Sequence, residues 1–361
     1  MFREYSQIKY YSERIKVSII IVNFNGEKFL KDCFDSLSEQ SFEDYEVIFV
    51  DNNSEDKSIE FLRQNYDSAG IKIYKAEKNL GFAGANNFGF KYCSGKYIVL
   101  LNNDTIVEKH WLKNLIECIE SDENTGIAQS LVITEGIPLR YYEKNGTINL
   151  LGHNIMDVFE IDSDGTGEIF QANGCSMAIR KSLIESLDGL FPDEYFAYSE
   201  DTYLCFKVKF RGLKIIHTSK SVVHHKGGGT SGKFSFLFFY QERNRLLNFI
   251  IFFSDSFFIK YIPFLILNFI MKIFASFISE KYSASQLLKA YWWIISNRHW
   301  INQKRRSLNL MKAVNEESVL NYLSGKILNG NNAFQKAINW FSISYCKLVR
   351  LRIIENKITV K

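Results

Sequence analysis

Proline is nearly absent, with three in 361 residues. Together with the lack of any repeat or low-complexity stretch, this excludes a fibrous or linker-dominated chain. Cysteine is sparse and scattered: Cys33, Cys93, Cys118, Cys175, Cys205 and Cys346 contain no CxxC pair. Zinc-ribbon and thioredoxin-like readings therefore have no support, and the pattern fits a reducing cytosol. There is no GxxxxGK[ST] and no GxGxxG after the first apolar run. A P-loop is excluded and a dinucleotide oxidoreductase disfavoured. Residues 1–16 are polar and charged, so no secretory signal is expected. What the chain has in quantity is aromatic: 31 Phe and 19 Tyr.

Charge divides the chain. Residues 233–361 hold 19 Lys and Arg against 6 Asp and Glu, a net of +13, and residues 1–232 carry a net of −9. An acidic front and a basic back imply different partners for the two regions. The boundary is placed near Gly232, giving domains 1–232 and 233–361. Residues 233–281 contain 13 of the Phe, so the second region reads as helical, basic and aromatic-rich.

The front alternates short apolar runs with helical spacings. Val17–Val22, Tyr45–Val50, Ile71–Ala76 and Tyr97–Leu101 read as strands. Helices are expected after Gly26 and from Ser54, and around Phe88–Cys93. This is the βαβ pattern of a mainly parallel, Rossmann-like sheet covered by helices. Residues 105–170 read as less regular. Ligands of such sheets sit at the carboxyl ends of the strands. The clusters Asn23–Gly26, Asp51–Ser54 and Asn102–Asp104 should therefore converge.

Four segments carry chemistry, each with a bland alternative. Asn102-Asn103-Asp104 offers a carboxylate for Mg²⁺ or Mn²⁺, or merely caps a helix over Thr105–Trp111. Glu200-Asp201 opens a helix in aromatic surroundings, either as a base with a raised pKa or as a helix-end charge. His224-His225-Lys226-Gly227-Gly228-Gly229 suits a metal or phosphates, or is a solvent loop. Asn79–Asn87 is only loosely a phosphate-binding glycine loop.

Seven segments in order resemble the family 2 glycosyltransferases of the GT-A fold, most of all the rhamnosyltransferase-like branch of bacterial surface-polysaccharide synthesis. They are VSIIIVNFNG (17–26), VIFVDNNSED (47–56), KNLGFAGANNFG (78–89), YIVLLNNDT (97–105), NGCSMAIRKS (173–182), LFPDEYFAYSEDTYLCFKVKFRG (190–212) and HHKGGGTSG (224–232). The resemblance implies an inverting enzyme that moves a sugar from a nucleotide diphosphate to an acceptor hydroxyl. It places Asn23, Phe24 and Asn25 around the base and ribose, and Asp51 on the base, with Asn53 beside it. Asn79, Gly81, Gly84 and Asn87 would shape the floor under sugar and diphosphate. Asp104 would bind Mg²⁺ or Mn²⁺, with Asn102 and Asn103 completing that motif. His225, with His224 as alternate, would assist at the metal or diphosphate. Asp201 would be the base, with Glu200 beside it. Gly174 and Trp111 are assigned to the acceptor.

Two departures stand out. The metal motif is Asn-Asn-Asp, with one carboxylate, and the second Asp expected after the Glu-Asp pair is Tyr203. The resemblance favours dTDP-rhamnose as donor, UDP-hexoses next, and a glycan or lipid-linked glycan as acceptor. Tyr261–Ile278 is apolar but interrupted by Pro263, Asn268 and Lys272, which suits the membrane interface better than a span. A location at the cytoplasmic face of the inner membrane is expected, with no nucleic-acid partner and with a homodimer open. A nucleotidyltransferase would want a basic loop after the first strand. A non-catalytic scaffold would not need Asp51, Asp104, Asp201 and His225 together.

Overall fold

The computed structural model describes residues 16–66, 70–135, 145–156, 165–227, 234–328 and 332–357. The opening strand β1 (Val17–Asn23) is a run of β-branched residues buried on both faces, as a central parallel strand requires. The alternation then proceeds through α1 (Glu27–Ser38), β2 (Tyr45–Asp51), α2 (Ser58–Tyr66), β3 (Ile71–Lys75), α3 (Gly81–Phe90) and β4 (Tyr97–Asn102). The middle of the chain supplies β5 (Thr105–Val107), α4 (Trp111–Glu120), β6 (Thr125–Thr134), the hairpin β7 (Asn145–Ile148) and β8 (Asn154–Met156), β9 (Thr166–Ile169) and β10 (Ser176–Arg180). Then come α5 (Lys181–Ser186), α6 (Glu200–Phe210) and the long β11 (Lys214–His225).

The main sheet runs β3-β2-β1-β4-β10-β6-β11-β5, with β9 also paired to β11. Strands β3, β2, β1 and β4 are parallel, whereas β10 lies antiparallel between β4 and β6. This is the GT-A-like α/β arrangement expected. Register places Asn23 beside Asp51 and Val22 beside Asn102, so the polar strand ends do converge.

Three local readings are corrected. The stretch after Asp104 is a strand, β5, not a capped helix. Helix α2 begins at Ser58, because Asp56 accepts from the Ser58 amide at 3.1 Å while Ser54 turns back towards β1. Helix α3 begins at Gly81, inside the stretch read as a glycine loop. Its glycines let the helix lie close to the sheet: a Cβ on Gly89 would stand 2.9 Å from both Ile20 and Val50. Residues 105–170 are mostly regular structure among those described.

The back of the chain is helical: α7 (Phe234–Phe252), α8 (Asp255–Ile278), α9 (Ala284–Ser296), α10 (Arg298–Met311), α11 (Glu316–Leu320), α12 (Ala333–Leu348) and α13 (Ile354–Lys357). It shares one core with the sheet. Phe206 and Phe210 of α6 stack on Phe252 of α7 at centroid distances of 5.1 and 5.7 Å. The opposite face of the sheet is closed by α1 and α4 around Phe34, Phe49 and Trp111.

Candidate active site

At the end of β1, Asn23 is fully buried and its side chain is committed to the protein. It donates to Ser54 and Ser58 at 3.2 and 2.9 Å and accepts from Asn103 at 2.6 Å. Asn23 therefore braces three strand ends instead of lining a nucleotide, and Asn103 is spent on the same brace. The neighbouring Phe24 is 37% exposed, and Asn25 and Asn53 occupy left-handed conformations with φ of 52° and 65°. Asp51 is buried. One carboxylate oxygen accepts from the Ser54 amide at 3.1 Å, and the other, Oδ1, has no partner. A buried carboxylate oxygen without a donor at the edge of the sheet is suited to a ligand N–H.

Asn52, which sequence reasoning passed over, fixes the next wall. It donates to Asn79 at 3.0 Å and to the Gly81 carbonyl at 3.2 Å, and accepts from the Leu80 amide at 2.8 Å. Gly81 is required by geometry: its φ is +70°, and a Cβ there would meet the Phe196 carbonyl at 2.2 Å. Asn79 accepts from the Gly81 amide. Gly84 lies inside α3, and Asn87 donates to the Phe191 carbonyl at 2.8 Å and to Asp193 at 2.6 Å. Asn87 thus anchors the segment leading to α6.

Asp104 and His225 come from the ends of neighbouring elements and meet, His225 Nε2 lying 3.2 Å from Asp104 Oδ1. The Lys226 amide also donates to the Asp104 carbonyl, fixing the approach. Alternation along β11 sends His224 the other way, towards Glu108 at 3.4 Å. His225, not His224, is the histidine at the carboxylate. One carboxylate and one imidazole suit a divalent cation that takes its remaining ligands from a diphosphate and water. No third His, Cys, Asp or Glu joins them among the described residues. Asn102 presents its backbone to the turn, its carbonyl accepting from Thr105. The glycines after Gly227 lie outside the described residues, and with them the phosphate-loop reading of that stretch.

Glu200 and Asp201 open α6. The approach is strained: Phe196, Tyr198 and Ser199 have φ of 61°, 71° and 62°. Such conformations cost about 1–3 kcal/mol each and persist only when surroundings fix them. Here α7 does so. Asn244 donates to the carbonyls of Tyr195, Ala197 and Tyr198 at 2.8, 2.9 and 2.7 Å. Asn248 donates to the Ser199 carbonyl at 3.0 Å and accepts from the Tyr195 hydroxyl at 2.7 Å, and Arg243 binds the Glu194 carbonyl.

Burial raises the pKa of both carboxyls, that of Glu200 well above the usual range and with a further push from Asp201. Asp201 has the more donors to offset this, chiefly the Thr202 amide and hydroxyl with the Gly174 amide nearby, whereas Glu200 has only its own amide. The negative charge of the pair therefore belongs on Asp201, while Glu200, whose Oε2 is buried without a partner, holds the proton. The turn Asn173–Cys175 ties this end to the metal edge. Its Gly174 amide lies near enough to Asp201 to favour the charged carboxylate, and its Cys175 carbonyl accepts from the Asn102 amide at 3.0 Å.

Gly174 is thus beside the base. Trp111 is not at the site: it is fully buried and donates to Ser130 and Ser176 at 3.1 and 2.9 Å. It is a core tryptophan, and the acceptor role assigned to it is withdrawn.

Comparison with known proteins fits this geometry. The chain is 25% identical over 224 residues to glycosyltransferase GlyA of Streptococcus pneumoniae, covering 58% of this chain and 30% of that one. It spans only about a third of the length of the curated relatives it matches. Among solved structures it shares its fold with residues 1–349 of Staphylococcus aureus TarS, a poly(ribitol-phosphate) beta-N-acetylglucosaminyltransferase, in complex with UDP. That match has a TM-score of 0.53 at 17% identity and covers 92% of this chain and 90% of the other. GalNAc-T7 with UDP, GalNAc and Mn²⁺ superposes with a TM-score of 0.57 at 16% identity, over 67% of this chain and 49% of that one. Residues 18–187, from the first strand through the helix that follows β10, match the family model Glycosyl transferase family 2.

Proposed function

We propose that the chain transfers a glycosyl group from a nucleoside-diphosphate sugar to a hydroxyl of a cell-surface glycan or its lipid-linked precursor, with inversion at the anomeric carbon. The observation that carries this reading is the segment Gln171–Cys175, hydrogen-bonded at one end to Asn102 and at the other to Thr202, beside Asp201. It links the strand end that precedes the Asp104–His225 pair to the start of the helix that bears Asp201, as transfer between a diphosphate and a hydroxyl requires.

In this mechanism the nucleotide lies over the ends of β1 and β2, with Phe24 exposed to stack and the free oxygen of Asp51 accepting from the base. Asp104 and His225 would hold a divalent cation, Mg²⁺ or Mn²⁺, whose charge offsets that of the leaving diphosphate. Asp201 takes the acceptor proton as the hydroxyl attacks. Glu200, kept neutral, adds no second charge beside it. A double displacement would need a nucleophile on the opposite face of the sugar, and neither Asp104 nor Asp51 is free for that role in this reading.

The donor is proposed to be dTDP-rhamnose or a UDP-hexose; the solved relatives with UDP support the second. The acceptor is proposed to resemble the polyol or sugar hydroxyls of surface polymers, and the enzyme to work at the cytoplasmic face of the membrane. Binding and hydrolysis of a panel of dTDP- and UDP-sugars, with Mg²⁺, Mn²⁺ or chelator, tests the reading. One donor turned over in a metal-dependent way is the expected result. A folded protein that binds none of them would overturn it in favour of a non-catalytic scaffold.

A further inference from the structure

Helix α8 has two faces of opposite character. Phe257, Tyr261, Phe264 and Asn268 recur at helical spacing and are buried. Lys272 continues this stripe and pairs with Glu242 of α7 at 3.1 Å. The other face carries Ile259, Ile262, Ile266, Ile270, Phe274 and Phe277, which are 70, 43, 55, 46, 65 and 80% exposed. Between Ser256 and Ile278, no charged residue is exposed on this helix. A helix lying against water would carry charges on its outer face; this one presents an unbroken apolar stripe about 27 Å long.

The helices packed on α8 also expose large apolar side chains. Helix α9 packs on α8 through Tyr291 against Phe269 and exposes Trp292 at 69%. Helix α12 packs through Tyr345, which donates to the Lys260 carbonyl and meets Phe264, and exposes Trp340 and Phe341 at 64 and 66%. Exposed tryptophans beside an aliphatic ridge suit the headgroup boundary of a bilayer. Lysines 281 and 289, both exposed, flank the ridge.

We propose that the outer face of α8, with Trp292 and Trp340 beside it, docks in the interface of an anionic lipid bilayer, α8 lying in the membrane plane. Two observations choose this occupant. By length and composition α8 could cross a membrane. A crossing helix, however, would carry Asn268 and Lys272 into hydrocarbon and break their contacts with Glu242 and Arg245, which hold α8 along α7. A second copy of the chain is disfavoured by charge, since residues 233–361 carry +13 and two such faces would repel, whereas anionic lipid complements them.

This inference is independent of the catalytic reading, because its test reads lipid binding and not turnover. The full chain is sedimented with vesicles of phosphatidylglycerol in phosphatidylcholine and with phosphatidylcholine alone. Binding to the anionic vesicles, weakened by salt and reduced about tenfold or more in the Ile266→Ser/Phe274→Ser/Phe277→Ser variant, is the expected result. Unchanged thermal stability and donor binding in that variant show that the loss is local. If the variant fails to fold, quenching of the wild-type tryptophans by brominated lipid in the same vesicles supports the proposal, and its absence overturns it. Equal partition into neutral vesicles, no sedimentation at all, or a dimer that the variant dissociates would also overturn it.

Discussion

The side-chain amide of Asn244 lies 2.7 Å from the carbonyl of Tyr198, and with two further acceptors it holds a left-handed turn against the start of the helix that bears Asp201. A single asparagine thereby sets the direction of the base. Replacing it with alanine takes one donor from each of three carbonyls, of which that of Tyr195 keeps the Ala197 amide and Arg243, and frees the turn to relax. Asn244→Ala should lose about 1–3 kcal/mol in urea denaturation. It should also lose about 10²-fold in kcat, because the base is displaced while the nucleotide edge is intact. An unchanged kcat would remove Asn244 from the positioning of Asp201.

Asp201→Asn keeps size and polarity but cannot take a proton. Turnover should fall by about 10²–10⁴-fold while donor binding, measured by calorimetry, is retained. Near-normal turnover in a folded variant would refute the assignment.

Burial raises the carboxyl pKa of the Glu200–Asp201 pair. Activity requires the ionised form, so it should fall as pH drops through an apparent pKa above the ordinary aspartate value of 3.8. A pH profile of kcat/KM whose acid limb lies at or below that value would contradict the buried dyad. Stability moves in the opposite sense. The folded chain binds the Glu200 proton more tightly than the unfolded chain does, so the contribution of Glu200 is fully favourable below its ordinary value of 4.5. That contribution declines as pH climbs towards the raised folded pKa. Glu200→Gln removes this decline, and its melting temperature relative to wild type should increase with pH.

The two adjacent histidines separate by face. His225→Ala should weaken the metal dependence of turnover, read as a rightward shift of the Mn²⁺ activation curve by about tenfold. His224→Ala, at the Glu108 side, should leave that curve in place. Equal shifts would mean that the pairing of His225 with Asp104 is incidental.

Gly81→Ala tests the contact between the donor floor and the base loop. At φ +70° with the Phe196 carbonyl 2.2 Å from the new Cβ, one or other backbone must move. A stability loss of about 1–3 kcal/mol is expected, with a fall in turnover from displacement of the loop.

Much of the sheet was legible because its strands are short apolar runs that end in Asn and Asp. The convergence of Asn23, Asp51 and Asn102 follows from parallel register once those runs are assigned. What was not legible depended on partners distant in the chain. Gly81-Phe82-Ala83-Gly84 reads as a loop by propensity, yet it is the first turn of a helix that Gly89 lets approach Ile20 and Val50. Trp111 looks like a sugar-stacking residue until its indole is seen to be committed to Ser130 and Ser176. Asn23 looks like a ligand contact until its three side-chain hydrogen bonds are counted. Asn244 and Asn248 carry no signal of their own, since an asparagine within a Phe-rich helix reveals nothing about the carbonyls it will meet.

The hold of α7 on the base loop bears on how the molecule is made. The Ser199 carbonyl accepts from the Tyr203 amide of its own helix, but its second donor is Asn248, 49 residues downstream. As the chain leaves the ribosome, the nucleotide edge can assemble first. The base turn settles only after the first back helix has emerged and packed on α6. The turn before Asp201 is therefore held across the charge boundary at Gly232: a chain stopped there would lack the Asn244 and Asn248 contacts that fix it.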